Sequence, residues 1–463
     1  MEANSRFKVS TLAVAVALAL SAPARAQDVA PANGQMPGSA LAFKVGGGEV
    51  SLYGHIDVSV DYTDNGLSES EFVSRGAIGN NGWLGQVSSN LSYFGVRGSR
   101  PLNEDLKGVF QFETEVDYSQ TPGSTSTDSA ASKTGLGSRN SFVGLQGGWG
   151  AIKAGKTDAP YKTSTGRMDP FSSTIGDYNS IMGNSGGDNR AEFDTRVPHS
   201  VWYESPHMGG FTINGLFSPG QNRSTDNDIN ARGEPSCTGG NTGGPSVGSC
   251  EDGAFGDLVS LAGAYTGGPL YVIAAYERHS KVNRLGDEAP DANGVTPVVG
   301  IADEYAVKVG VQYKFPTHTT VNLILERLRR DAPDPAFNER SRNGSWLAVT
   351  QNISGQDDLN LGWAHAGATP GDPGGVINQP SGANVAGPID NESNMFSLGY
   401  KHHFADKRTS WYAVAAEQKN HAGSHFDLGA SGHGIVTDCK DANNSCFAGT
   451  TIKAISAGVT YDF

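Results

Sequence analysis

Long apolar runs are what this chain of 463 residues most lacks. Beyond Leu20 no stretch approaches the roughly 18 apolar residues that a membrane-crossing helix needs, which excludes a helical span of the bilayer. The mean hydropathy of -0.37 is that of a soluble protein. Strands that send alternate side chains to lipid and to water average their hydropathy away, however, so this absence leaves a membrane barrel open. Net positive charge is missing as well: the formal charge is -14, and about -16 once Glu2, Arg6, Lys8 and Arg25 are set aside. With no basic patch interleaved with aromatics, that balance opposes a nucleic-acid partner.

Cysteine is scarce. Cys237, Cys250, Cys439 and Cys446 sit in Gly-, Ser- and Asn-rich stretches with no C-x2-C spacing for zinc. Three pairings are open to four cysteines; Cys237 with Cys250 and Cys439 with Cys446 would close the shortest loops, as disulfides of an oxidising compartment. Catalytic signatures are absent too: there is no G-x-S-x-G elbow and no H-E-x-x-H, and Gly46-Gly47-Gly48 precedes a strand rather than a helix N-terminus. His421, His425 and His433 near Asp427 fit no helix face. No enzyme, no cofactor and no metal site is expected.

What is present begins with Arg6 and Lys8, the apolar run Thr11 to Leu20, and Ala24-Arg25-Ala26 before Gln27, the order of a secretory signal peptide with its cleavage site. Residues 1–26 are therefore read as a signal peptide, 27–49 as a flexible leader without periodicity, and 50–463 as one domain. The 62 glycines favour strands and turns over helices.

Alternation then recurs through the domain. In Val50 to Tyr62 the apolar Leu52, Ile56, Val58, Val60 and Tyr62 alternate with Ser51, His55, Asp57, Ser59 and Asp61. From Leu106 to Tyr118, Phe110, Phe112, Val116 and Tyr118 alternate with Lys107, Gln111, Glu113, Glu115 and Asp117. Ile455 to Phe463 repeats the pattern, with Tyr461 and Phe463, like Tyr62, placed as aromatic anchors at the membrane interface. Charges lined up on one strand face cost several kcal/mol each in a dry core, so that face is expected to meet water. A band about 25 Å tall crossed at a tilt near 40° needs about 10 residues per crossing, which these segments have.

About sixteen such segments occur, and their connections alternate in length. Gly147 to Gly150, Thr266 to Pro269 and Ala405 to Lys407 are short, whereas Ser119 to Ser138, Asp158 to Thr195, Ser218 to Gly256 and Ala368 to Glu392 are long and polar. The pattern predicts an all-β fold: a 16-stranded antiparallel transmembrane β-barrel with short periplasmic turns and long external loops, sealed by pairing of the first strand with the last.

Several stretches carry a family resemblance. Arg139-Asn140-Ser141-Phe142-Val143-Gly144-Leu145-Gln146-Gly147-Gly148-Trp149-Gly150 with Ala154-Gly155-Lys156, Leu106-Lys107-Gly108-Val109-Phe110-Gln111-Phe112-Glu113, Ser200-Val201-Trp202-Tyr203-Glu204-Ser205-Pro206 and Tyr461-Asp462-Phe463 resemble, in collinear order, the Gram-negative general porins of the betaproteobacterial type. The resemblance implies a homotrimer in the bacterial outer membrane, each barrel with its own pore, inserted by the barrel assembly machinery that reads Phe463 and surrounded by lipid and lipopolysaccharide. It also implies that the third long loop, Asp158 to Thr195, folds inward and narrows the channel. Two departures stand out: the leader before the first strand, and Tyr93 where the family often has a basic residue.

A pore needs hydrated charge at its narrowest point. Tyr93, Arg97, Lys107, Arg139, Lys156, Asp169 and Asp177 are the candidates for the constriction. Two readings stay open for Arg97 and Lys107, a pore-facing role or mere balance of Glu113 and Glu115, and only one of Lys153 and Lys156 has the strand parity to point inward. Asp169 and Asp177 lead the acidic candidates because they lie mid-loop, and with Tyr93 replacing a basic residue they favour weak cation selectivity. The function expected is a water-filled channel for passive diffusion of ions and small hydrophilic solutes. The alternatives are a substrate-selective channel with a solute-binding site and a barrel adhesin or membrane hydrolase.

Overall fold

The computed structural model describes residues 41–76, 80–119, 136–182, 193–219, 231–232, 254–283, 301–331, 341–368, 390, 392–422, 424, 426–428 and 448–463. The signal-peptide segment, most of the leader and all four cysteines lie outside these residues, as do His425 and His433. No helix among the described residues is long and apolar enough to cross a membrane, which says nothing of strands.

In chain order the strands are β1 (Leu41–Val45), β2 (Gly48–Asp64), β3 (Leu84–Ser89), β4 (Tyr93–Pro101), β5 (Leu106–Glu115), β6 (Ser141–Gly147), β7 (Gly150–Asp158), β8 (Arg196–Glu204), β9 (Phe211–Ser218), β10 (Ala231–Arg232), β11 (Ala254–Phe255), β12 (Asp257–Gly267), β13 (Leu270–Asn283), β14 (Ile301–Lys314), β15 (Thr319–Arg330), β16 (Asn343–Asn352), β17 (Asp357–Ala366), β18 (Ser393–His403), β19 (Thr409–Asn420) and β20 (Thr451–Asp462). Apart from the small β10–β11 ladder they form one sheet of 18 strands. Because β3 and β4 both pair with β2 end to end, they share one crossing, and β1 flanks only the start of β2. Sixteen crossings remain, every neighbouring pair antiparallel, and β20 pairs with β2 from Lys453↔Asp64 to Asp462↔His55, closing the barrel.

The alternation read from the sequence sets the two faces. On β14, Val307, Val309 and Val311 are 41%, 44% and 42% exposed on the outside, while Ala306 and Lys308 between them are completely buried. Aromatic residues gather where the outer face meets the short turns: Tyr313 packs on Phe315, Tyr461 stacks on Phe463, and Trp149 stacks on Tyr203. Rings with an apolar body and a polar edge suit the headgroup boundary. Tyr62 stacks on Trp83 at the long-loop end.

Two expectations need correction. The leader does form an element at its end: Leu41–Val45 pairs with Gly48–Leu52 through a tight turn at Gly46 and Gly47, both with positive φ. The second crossing is also longer than Leu91 to Gly98, the span predicted by alternation of Phe94 and Val96 with Tyr93 and Arg97. It starts at Leu84 and is interrupted at Asn90 to Ser92, with Leu91 at φ 53°, and Asn90 fills the break by donating to Asp57 and Ser59.

The third long loop enters the barrel, as the resemblance implied. Met168, Phe171, Ile175, Tyr178, Ile181 and Met182 are buried against inward side chains of β13 and β15 to β20, among them Tyr271, Ile324, Trp346, Met395 and Val414. Gly362 makes room: a Cβ there would lie 2.3 Å from Trp346 Cη2 and 2.9 Å from Phe171 Cε2. At about 1.5–3 kcal/mol for each large side chain fully buried, this cluster outweighs any single polar contact in holding the loop.

Candidate pore constriction

The wall opposite the loop's apolar seat, made by β2 and β4 to β7, carries the charge. Register fixes its inward side chains: Ser51 faces Arg97 and His55 faces Tyr93 across β2 and β4, and Tyr93 faces Glu115 and Arg97 faces Gln111 across β4 and β5. From the loop before β6, Arg139 reaches into this row, its backbone N–H donating to the Glu113 carbonyl at 3.0 Å. Its Nε donates to Glu113 Oε1 at 2.7 Å, its Nη1 lies 3.8 Å from Glu115 Oε2, and its guanidinium sits 4.6 Å above the Tyr93 ring. Tyr53 donates from its hydroxyl to Glu113 Oε2 at 3.0 Å, and Arg97 stands 4.9 Å over the Tyr53 ring. The two tyrosines meet edge to face at 6.2 Å.

Tyr93, Arg97 and Arg139 are thus brought together on one wall, around Glu113 and Tyr53. Tyr93 does not merely delete a positive charge; its ring is the surface on which Arg139 lies, a contact of about 0.5–1 kcal/mol or more when desolvated. The patch pairs Arg139 with Glu113 and Glu115, so the expectation that inner-face charges simply meet water is corrected: Glu113 is only 2% exposed and is held by hydrogen bonds.

The other candidates fall elsewhere. Lys107 faces inward but opposite Pro101 and Gln146, four residues from Gln111 and so roughly 13 Å along the strand toward the short turns. Lys156 pairs with Ser141, on the parity opposite to Lys153, at the irregularity between Gly155 and Thr157. The inward lysine is Lys153, which donates to Glu204 Oε2 at 2.7 Å and lies 4.7 Å over Phe142. Lys156 is therefore withdrawn from the constriction.

Asp169 and Asp177 are corrected too. Both are buried, at 9% and 2% exposure, and turned into the loop itself. Asp169 accepts from the Phe171 N–H, and Asp177 accepts from the Ser173 and Asn179 N–H groups, the local bonds by which aspartate shapes turns. Burial and the neighbouring Asp177 carboxylate push the Asp169 carboxyl well above the usual range. Carboxyls spent in this way cannot form the acidic side of an eyelet, and the argument for cation selectivity loses its carriers.

Sequence reasoning missed the polar base of the loop. Lys308 Nζ, completely buried on β14, donates to Asp194 at 2.6 Å and Thr165 at 3.0 Å and lies 4.1 Å over the Tyr161 ring, while Tyr161 donates to Glu326 at 2.7 Å. The signal was available in part, since Lys308 and Glu326 fall on inward parity. The partner across from them was not.

A closed barrel with an inward loop and a charged wall can be placed among known proteins. A model of the Gram-negative porin family matches residues 12–423. This chain belongs to that family. The porin is an integral β-barrel of the outer membrane. It is 30% identical over 184 residues to the major outer membrane protein P.IA of Neisseria meningitidis serogroup C, a match covering 38% of this chain and 42% of that one. The match thus spans less than half the length of that relative. An anion-selective porin from Comamonas acidovorans has the same fold, at TM-score 0.58 and 19% identity over 90% of this porin and 100% of the other. So does OmpT of Vibrio cholerae in a trimer form, at TM-score 0.52 and 14% identity over 90% of this porin and 99% of the other.

Proposed function

We propose that this porin forms a water-filled passage for passive diffusion of ions and small hydrophilic solutes. The observation that carries the reading is the division of labour inside the barrel. The third loop is seated on β13 and β15 to β20 by apolar contacts, and the opposite wall keeps the Tyr93, Arg97 and Arg139 cluster, with Lys107 below it. Half-buried Arg97, Tyr93 and Glu115 remain within reach of water.

With Asp169 and Asp177 turned away, the local balance changes sign. In the cluster described above Arg97, Arg139 and Lys107 stand with Glu113 and Glu115, three positive charges to two negative, which supports a weak anion preference. Local charge decides here because screening at 0.15 M ionic strength limits the reach of the mouth's net negative charge to roughly 8 Å. The Comamonas structure described as anion-selective has the same fold. We place three copies in the functional assembly, with outer-membrane lipid and the insertion machinery as further partners. Of the small residues on the closing strands, Gly54 lies under Phe463 and Gly458 faces inward beneath Tyr412, which leaves Ala457 facing outward.

Planar-bilayer recording of the purified protein tests the reading. Expected are stepwise conductances rising in proportion to salt and a zero-current potential of anion-selective sign in a salt gradient. Saturable block by one solute class would favour a binding channel, and no conductance at all would exclude the pore.

A further inference from the structure

The outer face of β14 to β16 departs from the apolar band near its long-loop edge. Along β15 the outward positions run Leu323, Leu325, Arg327 and Arg329, opposite Val311, Val309, Val307 and Tyr305 of β14. Leu323 and Leu325 are 40% and 48% exposed, as a lipid-facing band requires, and Arg327 continues the same row, exposed like them. Six residues separate Tyr313, in the short-turn aromatic girdle, from Val307, which puts Arg327 about 15 Å up a band about 25 Å tall, with Arg329 about 5 Å higher.

Arginine on a lipid-facing surface at that depth is unfavourable unless its charge reaches the headgroups or meets an anion. Among the described residues Arg327 has no hydrogen-bond or ion-pair partner. Arg329 spends its donors on the Leu328 and Arg342 carbonyls and on Asn343 Oδ1, all neutral. Among the described residues the carboxylates at this rim are Asp303, held by Arg278 of β13 at 2.5 Å, Asp257, which also attracts Arg278, and Asp331 beyond the end of β15. Asp303 and Asp257 thus serve Arg278, and neither Arg327 nor Arg329 hydrogen-bonds a carboxylate among the described residues.

We propose that Arg327 and Arg329, with Tyr305 and Asn343 beside them, bind the phosphate of an outer-leaflet lipid, whose acyl chains lie on Leu323, Leu325, Val307 and Val309. The proposal rests on the barrel lying in the outer membrane. Guanidinium forks match phosphate oxygens in geometry and charge. The apolar row directly beneath the pair gives an acyl chain a surface that a free phosphate ion has no use for. A second copy of this chain is a poor occupant, because a two-fold contact here would set arginines against arginines.

Native mass spectrometry of the detergent-purified protein with a bisphosphorylated hexa-acyl disaccharide lipid tests this. The expected result is retention of the lipid by the unaltered protein, a loss of about tenfold for the same lipid stripped of phosphate, and a similar loss for the Arg327→Gln, Arg329→Gln double variant. Millimolar inorganic phosphate should not displace the lipid. Equal retention of the phosphate-free lipid overturns the proposal without any variant, and full displacement by inorganic phosphate assigns the site to a free anion instead. A double variant that loses its oligomeric state while retaining lipid would make this face a contact between copies. Bilayer conductance of the variant should be unchanged, which separates failure here from failure of the pore reading.

Discussion

Phe463 and Gly54 exchange both main-chain hydrogen bonds, each 3.1 Å, where the last strand meets the first. The ring of Phe463 lies in the space a side chain at Gly54 would take: a Cβ there would be 2.4 Å from Phe463 Cζ and 2.9 Å from the Tyr93 carbonyl oxygen. The seam depends on one residue having no side chain so that its partner can have a large one.

Gly54→Val should therefore weaken closure as much as loss of the ring does. Both Gly54→Val and Phe463→Ala are expected to lower the temperature at which the folded band converts to the unfolded one on a heat-modifiability gel. Unchanged conversion in Gly54→Val would show that the seam accommodates a side chain the geometry excludes.

The Arg139–Glu113 pair makes opposite predictions for its two halves. Arg139→Ala leaves Glu113 buried with only Tyr53 to hold it, a loss of about 3–5 kcal/mol for breaking a buried pair, read as a lower denaturation midpoint. Glu113→Gln keeps the Tyr53 contact and releases the positive charge of Arg139, so the zero-current potential should shift toward anions. A shift toward cations in Glu113→Gln would place this cluster outside the ion path.

Trp346 separates loop docking from barrel stability. Its ring packs on Phe171 and Tyr178 and its indole N–H donates to the Met168 carbonyl at 3.2 Å. Trp346→Ala should cost about 3–5 kcal/mol, most of it in the seat of the loop. Expected are faster proteolysis of the loop and noisier single-channel currents from a barrel that still migrates as folded. A quiet, protease-resistant channel would mean that other contacts hold the loop.

Asp169 gives the docked loop a pH dependence. Its carboxyl is raised above the unfolded value of about 3.9, so the docked state favours the proton. This contribution is complete below that value and is lost as pH rises through the raised one. Proteolysis of the loop should accelerate on that rise, and Asp169→Asn, which keeps an acceptor for the Phe171 N–H, should reduce the dependence, the remainder following Asp194 at the loop's base, whose carboxyl burial pushes up to about 6. An equal pH profile in the variant refutes the assignment.

How much of this was legible depends on the kind of question. Parity along a strand settles faces, so Val307 against Lys308 and Val459 against Ser456 were readable one residue at a time. Parity does not say what covers an inward residue: Trp346 and Met395 look like misplaced core until the loop is laid over them. Lys153 and Lys156 have opposite parity, and it is the pairing of Lys153 with Gly144 and Trp202, which the residue types do not announce, that sends Lys153 into the lumen. Mid-loop position located Asp169 and Asp177 along the chain but not the direction of their carboxyls, which local turn bonds set. The segment from Leu84 to Ser89 escaped because Gly, Gln and Ser give a weak alternation and Asn90 interrupts it.

The short strand β1 has a bearing on the size of the barrel. On the edge of β2 that receives β20, Phe463 stops at Gly54 and Leu41 takes the next place, opposite Leu52. The rungs below Gly54 are already taken, so β20 cannot slide down β2 to a neighbouring register. Stagger around a closed sheet is tied to strand tilt and diameter. A stop at this one edge therefore fixes the shear of all sixteen crossings, and with it the bore of the tube.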